Sequence, residues 1–130
     1  MEWTEAFLVF LVAHLVGDFG LQTEWQAEHK RGGLGHDRTA RRALFAHLTV
    51  YTLVFVPAFV WLWDDIGAGV LALAAVIFVT HLVQDDGRLL DRYAVSIKRT
   101  NPRNHPAVMV AVDQTLHLVV LFALALSVSA

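Results

Sequence analysis

Seven residues of two chemical kinds are spaced for joint work. His14 and Asp18 are four residues apart, as are His81 and Asp85, and Asp113 and His117. A step of four on a helix puts both side chains on one face, roughly 5–6 Å apart at Cβ. Gln22 extends the first stripe by another four, and His47 adds a further imidazole. Imidazole with carboxylate suits zinc, iron or manganese. Four histidines and three aspartates exceed what one structural zinc needs. One octahedral ion or a two-ion centre would use them, and two ions ~3.5–4 Å apart clamp both oxygens of a phosphoester displacement. Two other readings stay open: buried His–Asp pairs that only tie helices together, and a proton or ion path.

The elements carrying these residues are apolar. The 130-residue chain is 56% hydrophobic and 17% charged, with no cysteine, and its mean hydropathy is +0.51. Thiolate sites, disulfides and cysteine nucleophiles are thereby excluded. The formal net charge of −2 gives no reason to expect a nucleic acid partner. Four apolar blocks, about 3–21, 43–63, 66–83 and 107–128, lack Lys and Arg. Each is near the ~20 residues that cross a bilayer as a helix. The expected fold is therefore all-α: a polytopic membrane protein of four transmembrane helices, one domain over 1–130.

All ten Lys and Arg fall in the two long connections. The positive-inside rule puts both connections in the cytoplasm and both termini outside. The acidic start, Met1-Glu2-Trp3-Thr4-Glu5, predicts no removable signal peptide. Trp3, Trp61 and Trp63 would mark the outer interface and Trp25 the inner one. In the second connection, Leu89, Leu90, Tyr93 and Ile97 predict a short helix on the inner surface between helices 3 and 4. Pro57 should kink the second span. The loop histidines His29, His36 and His105 lack the four-residue step and read as solvated.

Ala13-His14-Leu15-Val16-Gly17-Asp18 resembles Thr80-His81-Leu82-Val83-Gln84-Asp85, and His47-Leu48 resembles His117-Leu118. Two hairpin repeats, about 1–65 and 66–130, would be related by an axis along the membrane normal, giving a pseudo-twofold bundle with ligands near that axis. The outer halves, 7–10, 52–60, 68–76 and 121–126, are nearly free of polar groups. That favours a dead-end site opening inward over a transport path.

The strings His14-Leu15-Val16-Gly17-Asp18-Phe19-Gly20-Leu21-Gln22-Thr23-Glu24-Trp25, Thr80 to Asp85, and Asp113-Gln114-Thr115-Leu116-His117 resemble the domain-of-unknown-function 3307 family of small bacterial and archaeal membrane proteins. The resemblance covers nearly the whole chain and picks His14, Asp18, Gln22, His47, His81, Asp85, Asp113, Gln114 and His117. One departure is that Asp86-Gly87-Arg88 stands where a basic residue would closely follow the third-helix Asp. A more distant similarity is to inner-membrane metal-dependent hydrolases called LexA-binding. It implies a prokaryotic cytoplasmic membrane and phosphoester hydrolysis by analogy only.

The expected function is thus a membrane-embedded His/Asp metal protein hydrolysing a lipid or polyprenyl phosphoester. His14, Asp18, His47, His81, Asp85, Asp113 and His117 would bind one or two divalent ions. Asp18, Asp85 or Asp113 would act as base. Gln22, Gln114 and Tyr51 would hydrogen-bond into the centre. Arg41, Arg42, Arg88 or Arg99 would meet a phosphate headgroup, or would only set topology and attract anionic lipid. The alternatives are a proton- or ion-transport protein, which four short helices would require to be a homo-oligomer, and a scaffold whose bundle an ion staples. Membrane lipids are the expected surroundings.

Overall fold

A computed structural model describes residues 2–129, so both ends of the expected domain lie outside the described residues. Those residues form seven helices and one π-helical turn, with no strand. Helix α1, Trp3–Leu15, runs into the π turn Val16–Gly20. There the Leu21 N–H reaches back to the Val16 carbonyl at 2.8 Å. Gly17 permits this turn to lie on Tyr51: a Cβ at 17 would meet the tyrosine ring at 2.6 Å.

Helix α2, Glu24–His29, was not expected from the sequence. A reciprocal cap starts it: Thr23 Oγ1 accepts from the Gln26 N–H at 3.2 Å, and Gln26 Oε1 from the Thr23 N–H at 3.0 Å. Helix α3, Arg38–Val54, starts on the Asp37 carboxylate, which accepts from Thr39 and Ala40. At Phe55 the chain bends by 51° into α4, Val56–Ile66. Pro57 explains the bend expected there, because it has no N–H to offer the Leu53 carbonyl and its ring crowds that group.

Helix α5, Gly69–Asp86, ends on Gly87 in the left-handed region at φ +80°. Helix α6, Arg88–Ser96, follows at once, and α7, Pro106–Val128, opens with proline in its first turn. The short helix α6 stands where expected, but its buried face is narrower. Leu90 and Ala94 pack on Met109 of α7, while Leu89, Tyr93 and Ile97 point outward. Those three are offset around the axis from the Leu90–Ala94 step, so one face cannot bury all four.

Three segments are long and apolar enough to cross a membrane: Trp3–Gly20, Gly69–Asp86 and Pro106–Val128. The bent pair α3–α4 makes a fourth when counted as one span. Helix α1 packs on α7, α3 and α4 on α5, and α5 on α7. Phe10, Phe55, Leu62, Leu73, Ile77 and Leu121 fill one apolar core. Val60 and Leu71 are 70% and 68% exposed. Apolar chains facing outward from apolar helices fit a lipid surround.

Candidate metal centre

Below the apolar core the helices turn polar groups toward one another. His14, Asp18, His47, His81, Asp85 and His117 are all buried, and Asp113 is half-buried. They arrive from α1 with its π turn, α3, α5 and α7.

His47 and His81 approach each other at 3.0 Å between Nε2 atoms. Asp85 Oδ2 lies 3.0 Å from each of those nitrogens. Asp18 Oδ1 lies 3.2 Å from His47 Nε2 and 3.4 Å from His81 Nε2. Each of these residues offers one atom within 4.8 Å of all the others. Ligands at ~2.1 Å from an ion sit roughly 3.0 Å apart at right angles and 3.4 Å apart at tetrahedral angles. The observed spacings fall in that interval. Asp85, Asp113 and His117 form a second such group. Asp85 divides its oxygens between the two, with Oδ1 lying 3.5 Å from His117 Nε2.

The unpartnered atoms point the same way. Asp18 Oδ1, Asp85 Oδ1 and His117 Nε2 are buried without a hydrogen bond. An orphaned buried polar atom costs about 1–3 kcal/mol. His117 Nδ1 lies 2.8 Å from the Asp113 carbonyl oxygen. That carbonyl only accepts, so Nδ1 holds the proton and Nε2 presents a lone pair. The Nδ1 atoms of His47 and His81 also lack partners. The carboxylate oxygens and His117 Nε2 therefore fit a divalent cation by spacing and free lone pairs, whereas an Nδ1–H of His47 or His81 has no acceptor and Lys30 already donates to Asp85 Oδ2.

The predicted His14–Asp18 pair is not equivalent to His81–Asp85. His14 Nδ1 stands 3.8 Å from Asp18 Oδ2, because the π turn shifts the register between them. Both His14 nitrogens are engaged, Nδ1 with the Tyr51 hydroxyl and Nε2 with Gln114 Oε1, each at 2.9 Å. Gln114 Oε1 only accepts, so His14 Nε2 donates to it and Tyr51 donates to Nδ1. The Gln114 amide nitrogen donates in turn to Asp18 Oδ2 at 3.2 Å and Asp113 Oδ2 at 3.3 Å. His14 thus lies outside both ligand groups and anchors a chain that orients Asp18. Tyr51 also stacks on His81, with ring centroids 3.6 Å apart.

Gln22 does not enter the centre. Its amide nitrogen bonds the Asp18 carbonyl, and its oxygen accepts from Lys30 Nζ at 2.7 Å. Lys30 was read from the sequence only as a topology charge. It stands 2.8 Å from Asp85 Oδ2. Asp86, also missed, accepts from the Leu34 N–H at 2.9 Å and from Arg88 Nε at 2.7 Å. Arg88 therefore serves Asp86 rather than Asp85, and this hydrogen bond raises its pKa further. Arg41 donates to the Gly35 carbonyl. His29, at the end of α2 rather than in a loop, His36 and His105 are exposed, as read from their spacing.

An all-helical chain with apolar helices of membrane-crossing length and a buried His/Asp cluster defines the class. The particular family follows from the sequence profile described as "Protein of unknown function (DUF3307)", which matches residues 6–130. The chain belongs to that family. No curated protein and no solved structure matches it, and the more distant likeness to LexA-binding hydrolases has no support.

Proposed function

We propose that this protein is a membrane-embedded metal protein that hydrolyses a phosphoester of a lipid or polyprenyl alcohol at the cytoplasmic face. The observation that carries the metal reading is the convergence of His47 Nε2, His81 Nε2, Asp18 Oδ1 and Asp85 Oδ2 at ligand spacing in a buried site. A second ion would sit on Asp85, Asp113 and His117, with Asp85 bridging. Zinc, manganese and iron all suit this donor set. A bound divalent ion lowers the pKa of a water toward ~7 and polarises a phosphoryl oxygen.

The chain's own groups supply the rest. Asp113 accepts only a long Gln114 contact and is the most exposed acid of the cluster. One oxygen of Asp113 would hold the second ion, leaving the other to take the water proton as the water oxygen bonds phosphorus. The ester P–O bond breaks, and Asp113 returns that proton to the leaving alkoxide. His14, Tyr51 and Gln114 hold Asp18 in orientation. The apolar outer core closes the site on that side, which favours a dead-end pocket over a conduit.

The positive connections support four spans with both termini outside, in a pseudo-twofold bundle. The resemblance of this chain to a family of small bacterial and archaeal membrane proteins supports a prokaryotic inner membrane. Lipids are the expected partners, and self-association is left to a sizing measurement.

The Lys30–Asp85 ion pair favours a second reading, a His–Asp–Lys network that ties the helices without an ion. Elemental analysis of detergent-purified protein separates the two. The expected result is a near-integral first-row metal in the wild type, lost in His47→Ala and in His81→Ala. No metal after supplying zinc, manganese and iron would leave the network reading standing.

A further inference from the structure

A cavity of about 420 Å³ lies between α5, α6 and α7, within the volume range of small-molecule pockets. Leu89, Leu90, Tyr93 and Leu116 give it apolar walls, Arg92 lines it from α6, and Asp113 lines it from α7. Asp113 is also a member of the Asp85–Asp113–His117 group. One residue thus belongs to both the cavity wall and the candidate ion site. Three other cavities of similar size lie along α1 and α4, beside α4 and α5, and at the end of α6. The first two are lined mainly by apolar residues, and none of the seven His and Asp residues of the centre lines any of the three.

The charges around the cavity are uneven. Arg88 is held by Asp86 and Arg31 by Asp91. No hydrogen bond or ion pair engages Arg92 among the described residues, and it is exposed. A lining that combines a cation, apolar walls and a candidate ion-binding carboxylate suits an anionic headgroup with a chain attached.

We propose that this cavity binds the substrate, an alkyl or polyprenyl phosphate. The chain lies along Leu89, Leu90 and Leu116, and the phosphate lies between Arg92 and the ion on Asp85, Asp113 and His117. The assignment rests on the metal reading, because bare Asp113 would repel a phosphate. Arg92 takes the headgroup role that the sequence suggested for its neighbours, since its guanidinium is uncommitted and matches phosphate geometry. The apolar walls keep the chain out of water, so the headgroup contacts supply the discrimination. Both halves of such an amphiphile are recognised, so neither inorganic phosphate nor a neutral alcohol of equal length should compete well.

The test is photoaffinity labelling in phosphatidylcholine nanodiscs, with a dodecyl phosphate carrying a diazirine at its chain end. Metal content is measured on the same samples. Labelling is expected on the α6 and α7 segments, competed by dodecyl phosphate and not by dodecanol or inorganic phosphate. Arg92→Gln should weaken competition about tenfold. Ser96→Phe, which fills the cavity from α6, should abolish labelling, and Ser96→Ala should leave it unchanged. Metal-loaded protein labelled equally in wild type and Ser96→Phe would overturn the pocket while leaving the metal reading intact. Competition by dodecanol as strong as by dodecyl phosphate would overturn the headgroup assignment. Labelling of the pocket in protein that binds no metal would instead overturn the metal reading and the ion's part in the pocket.

Discussion

Tyr51, His14 and Gln114 form a hydrogen-bonded chain whose last link orients Asp18. Groups that orient a ligand typically contribute 10–100-fold in metal affinity. Gln114→Ala and Tyr51→Phe should each weaken metal binding by that order while retaining the site, whereas His81→Ala should empty it. Competition with a chromogenic chelator measures this, and equal losses in all three would contradict the division of roles. Imidazoles bind metal only when neutral, so protons compete as pH falls. Metal should be retained at pH 7–8 and lost below about pH 6. Full retention at pH 5 would count against histidine ligation. The His and Asp members were legible because a four-residue step on a helix fixes a common face whatever the tertiary fold. Lys30 was not legible: its partner Asp85 lies 55 residues further along the chain, and a charge beside a predicted span reads equally well as topology.

At the scale of elements, the π turn and its glycine set the register of the first ligand strip. Gly17→Ala would push a methyl group into the Tyr51 ring, which His81 and Phe55 already confine. Overpacking of this kind costs typically 1–3 kcal/mol. The expected outcome is a lower unfolding temperature in detergent together with weaker metal binding. An unchanged melting curve would show that the π turn accommodates the methyl. Helix existence was legible from apolar block length, and the α3–α4 bend from Pro57. The Thr23-x-x-Gln26 cap of α2 is written in the sequence but is a short local signal beside a membrane-scale pattern. The π turn has no such signal, since Val16–Gly20 reads as ordinary helix until Asp18 must meet His47.

For the whole molecule, the arrangement of charge predicts sidedness. The chain has no cysteine, so single introduced cysteines report without background. A membrane-impermeant maleimide applied to intact cells should label Asp65→Cys, in the last turn of α4. It should reach Arg38→Cys, at the start of α3, only after permeabilisation. The reverse pattern would invert the proposed orientation and move the candidate site to the outer face. The two-repeat pattern in the sequence is only partly mirrored in the side chains. His14 and His81 occupy matching positions, yet one is hydrogen-bonded at both nitrogens and the other faces the carboxylates. The difference arises from Tyr51 and Gln114, which the repeat alignment does not pair.

The centre draws its members from both ends of the chain, and this fixes an order of events during synthesis. At ~5–20 residues per second, His117 leaves the ribosome on the order of ten seconds after Asp18. Until His81 emerges, roughly two-thirds of the way through that interval, the Asp18 carboxylate has no His81 beside it. Such a group costs about 2.5–3.5 kcal/mol at a helix centre and less near an interface. The apolar remainder of Trp3–Gly20 must carry the segment into the bilayer alone. On the metal reading, the centre is completed only after α7 is made, so chelating metal from a translating extract should leave membrane insertion untouched while blocking only the final compaction.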